Sequence, residues 1–267
     1  MLEQKITLLI STKGERISRI PAMLLPHRDW IDYVVSWQRE SVNKKILIPS
    51  SLQEREDVKL IYCSSEGLSA NRNRALEFSK NKIVLICDDD CLYTERGLQN
   101  VIKAFQENPG TDILLFQSTD LNGISLKQYP KKSFDYKSRP TKYYASSVEI
   151  ALINGDKIPR FDKRFGLGAE FLSCGEEEVF LFDSLKRGCN IRYIPTPIVR
   201  TVSETTGNKF ATEVTVRRSK GAVYCLLYGK KKAIVEIIKF AILHCPKGIR
   251  KLEALRDMYT GVIYICP

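Results

Sequence analysis

Ile83-Val84-Leu85-Ile86-Cys87-Asp88-Asp89-Asp90 is an apolar run of strand length that stops at three adjacent carboxylates. Short apolar runs bounded by polar signals read as buried strands. Neighbouring carboxylates repel one another, and each loses solvation where a strand end is covered. Such a cluster calls for a cation. Hard divalent ions such as Mg2+ and Mn2+ prefer oxygen ligands, often one or two carboxylates together with substrate phosphates. The run therefore predicts a buried strand whose carboxyl end handles metal and phosphate; a solvated acidic turn is the plainer alternative. Side chains alternate along extended chain, so Asp88 and Asp90 share a direction that Asp89 does not. That places Asp88 within reach of a ribose hydroxyl and makes Asp90 the candidate metal ligand.

Strands and helices alternate on both sides of this run. Lys5–Ser11 reads as the first strand, and the polar turn Ser11-Thr12-Lys13-Gly14-Glu15-Arg16 opens an amphipathic segment. Tyr33–Trp37, Lys45–Ile48 and Val58–Cys63 read as further strands. Ser69 is a predicted N-cap for a helix from Ala70 to about Lys80. Glu95–Glu107 is a helix stopped by Asn108-Pro109-Gly110, and Asp112–Gln117 is the next strand. Leu121–Thr141 is polar and reads as a long surface loop, and Tyr143–Ile153 as a strand. Phe161–Gly168 is turn-rich, Glu176–Arg187 helical with Gly188 as its stop, and Ile191–Arg200, with two prolines, a pair of edge strands. This alternation predicts an α/β fold with a mostly parallel central sheet flanked by helices.

With 267 residues, 43% of them hydrophobic, the chain can bury a sizeable core. No basic-then-apolar leader and no apolar run of membrane-spanning length is visible, and the eight cysteines are scattered without a CxxC pair. Reduced thiols, a cytoplasmic location and no zinc site are the expectations. The net charge of +11 is uneven. From Thr205 to Pro267 there are 12 Lys/Arg against 4 Asp/Glu, so +8 of the +11 lies there. The predicted division is a catalytic domain over residues 1–205 and a basic helical extension over 206–267, with Ala222–Tyr228 and Ala233–His244 helical. Lysines mixed with Leu, Ile and Phe suit the surface of an anionic membrane, in peripheral contact at the inner face of the cell membrane. Two ordinary helices with a solvated basic face are the equal alternative. No nucleic-acid-binding module is present, and nucleic acid is not an expected partner.

Two further clusters carry chemistry. In Gly67-Leu68-Ser69-Ala70-Asn71-Arg72-Asn73-Arg74 a glycine turn opens a helix with arginines in its first turns. Helix starts favour anions, and arginine adds forked donors suited to phosphate; solvated arginines on a capped helix are the alternative. Gly175-Glu176-Glu177-Glu178 places acids in a first helical turn, where they oppose the macrodipole and where one of them can serve as a general base. The chain has only two histidines, His27 and His244, and neither belongs to a nucleophilic triad pattern.

In this order the pieces resemble family 2 glycosyltransferases of the GT-A fold, a Rossmann-like sheet with a C-terminal helical extension. The resemblance covers roughly residues 5–205. It rests on Leu9-Ile10-Ser11-Thr12, Gly67-x-Ser69-x-x-Arg72-Asn73, Asp88-Asp89-Asp90, Phe161-Asp162-x-x-Phe165-Gly166-x-Gly168 and Gly175-Glu176-Glu177-x-x-Phe180. The tail, with Lys220-Gly221-Ala222 and Tyr228-Gly229, looks like that of bacterial members that build surface polysaccharides. The family implies transfer of a sugar from a nucleotide donor, a UDP-sugar by default, to a saccharide or lipid-linked acceptor hydroxyl, with inversion. By motif, Asp88 and Asp90 match its D-x-D, with Mn2+ or Mg2+ on Asp90 and Asp88 on the ribose or the metal shell. Ser11, Thr12, Arg16 and Arg72 fall at nucleotide-binding positions. Glu177 takes the place of the catalytic base, with Glu176 as the alternative. Two departures stand out. Val35-Ser36-Trp37-Gln38 lacks the usual Asp near the base, and Ile198–Ser203 lacks a late metal-binding His, which leaves water or diphosphate to fill the metal shell. A sugar-nucleotide nucleotidyltransferase would share the architecture, but Ser11–Arg16 holds only one Gly where a Gly-rich triphosphate loop is needed. A non-catalytic scaffold of the same fold is the third reading.

Overall fold

The computed structural model describes residues 4–39, 46–79, 81–141, 143–201 and 206–266. The chain divides into two compact units. The first comprises Met1–Glu66, Ala70–Arg160 and Ser184–Ser203; the second comprises Gly67–Ser69, Phe161–Asp183 and Glu204–Pro267.

The first unit is built on one sheet. Its strands are β1 (Ile6–Lys13), β2 (Ile31–Gln38), β3 (Val58–Cys63), β4 (Ile83–Asp88), β5 (Leu92–Tyr93), β6 (Ile113–Thr119), β7 (Phe134–Asp135), β8 (Ile150–Ile153) and β9 (Ile191–Arg200). The order is β3-β2-β1-β4-β8-β6-β9-β5, with β7 pairing β9. β3, β2, β1 and β4 are all parallel, β8 runs against both its neighbours, and β6 pairs β9 in parallel. Ile83 to Cys87 are at most 2% exposed, as a continuous apolar run in a parallel sheet requires. Ile6, Leu8 and Ile10 join Tyr33, Val35, Trp37, Leu85 and Cys87 in the main core.

The helices are α1 (Ser51–Glu54), α2 (Leu68–Glu77), α3 (Glu95–Glu107), α4 (Glu176–Lys186), α5 (Val214–Tyr228), α6 (Lys230–Leu243) and α7 (Lys251–Ile265). α3 shows how local sequence sets a helix. The Thr94 hydroxyl caps it by accepting the Gly97 N–H at 3.1 Å, and Leu98, Val101, Ala104 and Phe105 form its buried face. No helix among the described residues is long and apolar enough to cross a membrane. In the second unit α5, α6 and α7 enclose a core that includes Val216, Ile237, Ala254 and Met258. Arg217 is buried within it, donating to Asp257 at 2.7 Å and to the carbonyls of Phe210 and Ala211.

Several sequence expectations need correction. Residues 46–48 form no strand, because Ile46 and Ile48 pack on the core without a ladder partner; Lys45 lies outside the described residues. Ser69 is not the N-cap. The helix starts at Leu68, and the Ser69 hydroxyl donates to the Phe165 carbonyl at 2.6 Å. That helix ends at Glu77, and Lys80 lies outside the described residues. Only Ile150–Ile153 of the segment 143–153 is strand, since Ser147–Glu149 coils into a 3-10 turn. The segment 121–141 is not all surface: Tyr136 is buried and β7 joins the sheet. β9 is one strand with neighbours on both sides rather than edge strands. Its prolines are accommodated by register shifts between Leu115 and Ser118 of β6. α7, unread from the sequence, completes the bundle.

Candidate active site

In a doubly wound sheet, ligands bind beyond the carboxyl ends of the strands, where the strand order reverses. Here that point lies between β1 and β4, because β2 and β3 build outward on one side of β1 and β4 takes the other. Thr12, near the end of β1, and the Asp88-Asp89-Asp90 run flank it.

The three carboxylates take different partners. Asp88 Oδ1 accepts from Arg72 Nη2 at 2.9 Å, and Asp88 Oδ2 accepts from the Ser147 hydroxyl at 3.3 Å. Arg72 Nη2 also reaches Ser147 Oγ at 2.7 Å, so a buried guanidinium ties Asp88 to the turn before β8. β4 ends at Asp88, so Asp89 and Asp90 lie in a turn and the alternation expected of extended chain does not extend to them. Asp89 is 3% exposed, accepts from Thr12 Oγ1 at 2.7 Å and pairs with Arg16. Burial pushes its carboxyl above the usual range, a rise that Thr12 and Arg16 only partly offset. Asp90 accepts from Thr201 Oγ1 at 3.4 Å and lies 3.7 Å from Arg16 Nη2. Its carboxyl is also raised, first by burial and then by the charge of Asp88.

Each nucleotide-binding candidate has a defined place. Thr12 is committed to Asp89, and its carbonyl accepts from the Asn71 amide at 3.0 Å. Half-exposed Arg16 stands beside Asp89 and Asp90. Ser11 is paired in register with Ser36 on β2 and with Asp88 on β4, so the three side chains share one face of the sheet. The hydroxyls of Ser11 and Ser36 and Oδ1 of Asn71 are buried without a hydrogen-bond partner among the described residues. Buried polar atoms are rarely left so, and the region is therefore built to receive a polar group.

The second unit holds the candidate base. Glu176 and Glu177 open α4, with Glu176 buried and Glu177 half-buried. Two motifs far apart in sequence meet here. The Leu68 N–H donates to the Leu167 carbonyl at 2.8 Å, and the Ser69 hydroxyl donates to that of Phe165. Gly166 has φ +104°, and a Cβ there would sit 3.1 Å from Ser69 Oγ and 3.2 Å from the Glu176 carboxyl carbon. Only glycine lets this loop lie against the Glu176 carboxyl.

Sequence reading missed Ser147, Thr201 and Asn71. Ser147 and Thr201 lie far along the chain from Asp88 and Asp90, and no local pattern marks them. Asn71 sits inside the quoted Gly67–Arg74 motif and was passed over beside its arginines.

Among the described residues no group of three or more His, Cys, Asp or Glu converges as a ready metal cage. The donor set does fit a hard divalent ion in part. Asp88 and Asp90 offer carboxylate oxygens in repelling proximity, leaving the remaining positions to diphosphate oxygens and water.

The sheet order with its acid site at the switch point defines a GT-A fold. Residues 46–153 match the family model described as Glycosyl transferase family 2. No curated protein matches the sequence. Among solved structures, S. aureus TarS 1-349 superposes with a TM-score of 0.61 at 16% identity, over 97% of this chain and 81% of that one. The same protein in complex with UDP gives 0.62 at 15% identity, over 97% and 81%. Its complex with UDP-GlcNAc gives 0.58 at 14% identity, over 97% and 82%.

Proposed function

We propose that this chain is an inverting glycosyltransferase, moving a sugar from a nucleoside diphosphate sugar to a saccharide or lipid-linked hydroxyl in cell-surface polysaccharide synthesis. The observation that carries the reading is the Arg72–Asp88 pair at the switch point between β1 and β4, with Asp90 beside it. A UDP-sugar is the favoured donor, because the structural neighbours include complexes with UDP and UDP-GlcNAc.

The unpartnered hydroxyls of Ser11 and Ser36 offer hydrogen bonds to the nucleoside, and Asp88, oriented by Arg72 and Ser147, accepts from the ribose. Thr12 fixes Asp89, and Asp89 in turn holds Arg16, which puts a cation where the diphosphate charge arrives. Asp90, with Asp88, would hold Mn2+ or Mg2+, whose chemistry there is to neutralise charge on the leaving diphosphate. Glu177 is the proposed base. Its half-buried carboxylate is the more accessible of the two, whereas Glu176 is buried against Gly166. The acceptor oxygen forms the new bond to the anomeric carbon from the face opposite the departing diphosphate oxygen. The bond to the diphosphate oxygen breaks with its electron pair leaving on the nucleoside diphosphate, and the hydroxyl proton passes to Glu177.

The test is a screen of nucleotide sugars, UDP-sugars first, for metal-dependent release of the nucleotide and transfer to acceptors. Asp90→Ala and Glu177→Gln should each abolish transfer while circular dichroism stays unchanged. Full transfer by either variant removes that residue's role, and absence of any nucleotide binding favours the scaffold reading.

A further inference from the structure

The α6–α7 face of the second unit carries an apolar surface that glycosyl transfer does not use. On α6, Val235, Ile238 and Ile242 recur at three- and four-residue spacing and are 48%, 41% and 59% exposed. On α7, Leu252, Tyr259 and Ile263 recur at seven- and four-residue spacing and are 81%, 42% and 41% exposed. Such spacing makes one stripe on each helix. Neither stripe is the core face, because the bundle already buries Ala233, Ile237 and Ala241 of α6 and Ala254, Met258 and Val262 of α7. Ile238, Leu252 and Tyr259 together line a groove of about 320 Å3.

The charge of this segment is net positive: residues 230–265 hold eight Lys/Arg against three acids, Glu236, Glu253 and Asp257. α6 opens on Lys230, Lys231 and Lys232, with no acid in its first turn. Cations at a helix N-terminus oppose the macrodipole, so the stability of this helix does not explain them. We infer that the α6–α7 face docks on an anionic lipid bilayer. The headgroups match the net positive charge of this segment, and the acyl boundary takes up the exposed aliphatic and tyrosine side chains. A second copy of the chain would cover the apolar stripes but would set two net-positive segments against each other. Since no described helix can span a membrane, the contact is interfacial. The inference is independent of the catalytic reading.

The experiment is co-sedimentation of the full chain with phosphatidylcholine vesicles, with and without phosphatidylglycerol. Binding should need phosphatidylglycerol and weaken as salt is added. Lys231→Gln should lower affinity roughly fivefold, the value of one basic residue at such a surface. The pair Ile242→Ser and Leu252→Ser, at positions more exposed than buried, should lower it on the order of tenfold or more with unchanged circular dichroism. No binding, equal binding to neutral vesicles, or binding indifferent to these substitutions overturns the inference. So does a dimer in light scattering that the serine pair dissolves while vesicles bind nothing.

Discussion

Arg72 Nη2 lies 2.9 Å from Asp88 Oδ1, with the arginine side chain 2% exposed and the aspartate 33%. The cation is sealed in while the carboxylate keeps an approach from solvent. Arg72 thus orients Asp88 without hiding it, and the same nitrogen holds Ser147. Lysine is a compact ammonium without the planar fork, and it cannot reproduce this geometry. Arg72→Lys should weaken UDP binding by about tenfold, the value of one lost charge-assisted hydrogen bond. Calorimetric titration with UDP reads this directly. An unchanged affinity would show that the pair only supports the fold.

Glu149 supports the same turn from behind. It is fully buried. Oε1 accepts from the hydroxyls of Ser118 at 2.8 Å and Tyr129 at 2.5 Å, while Oε2 accepts the Ser146 N–H at 3.0 Å and pairs with Lys127 at 2.9 Å. Burial and then the Glu149 charge push the Tyr129 phenol upward, so both hydroxyls stay protonated and donate. Glu149→Gln keeps the shape but removes the charge that Lys127 faces. It should cost about 2–3 kcal/mol in urea unfolding. Because Ser147 is two residues away, the donor KM should rise as well, which a purely structural loss elsewhere in the sheet would not produce.

How far the sequence carried the reading follows from the range of each cause. β4, α3 and β3 were legible because a buried apolar run, a helix stop at Asn108-Pro109-Gly110, and flanking loop residues all act locally. The placing of the Asp88-Asp89-Asp90 run at a strand end was legible for the same reason, since the apolar run and the acids that stop it are adjacent in sequence. The partners of those carboxylates were not. Ser147 reaches Asp88 from 59 residues away and Thr201 reaches Asp90 from 111, and their neighbouring sequence carries no trace of it. Ser69 misled because a serine before a helical pattern is ordinarily a cap, whereas here it is spent on a distant carbonyl. β9 misled because proline normally avoids the interior of a sheet, and the register shifts that admit it belong to the partner strand.

The acid sensitivity of the first unit should depend on Asp57. Burial alone would raise its carboxyl, but Arg55, bonded to both oxygens at 2.9 and 2.6 Å, holds it below the usual carboxylate range. A depressed carboxyl contributes stability above its unfolded value and loses it as pH falls through the folded one. The urea midpoint of the wild type should therefore fall below about pH 4. Arg55→Gln reverses the sign. Burial then dominates, the Asp57 value rises above the unfolded one, and the variant is penalised at neutral pH and recovers as acid protonates Asp57. Midpoints of the two proteins measured from neutrality to about pH 3 should converge. Parallel curves would show that the pair contributes nothing.

The second unit depends on two glycines that let α5 and α7 cross at backbone contact. A Cβ on Gly221 would come within 1.8 Å of the Met258 carbonyl oxygen, and one on Gly261 within 1.9 Å of that of Arg218. In both cases the obstacle is main chain of the facing helix, which has no rotamer to give way. The helices would have to separate, and the layer beneath them, Ala254, Met258 and Val262 with Val216 and Ile237, would lose its packing. Gly261→Ala should therefore destabilise the protein by about 3 kcal/mol or more, at the upper end for an overpacked core, against the few tenths gained from better helix propensity. Gly229→Ala is the control in the same helical region. Its added methyl meets nothing within 4 Å, so its cost is only the strain of a φ of +77°. Thermal unfolding of the three proteins separates the effects: Gly261→Ala should fall well below Gly229→Ala. Equal losses would mean that the crossing tolerates a methyl group and that backbone conformation, not helix contact, is what these positions require.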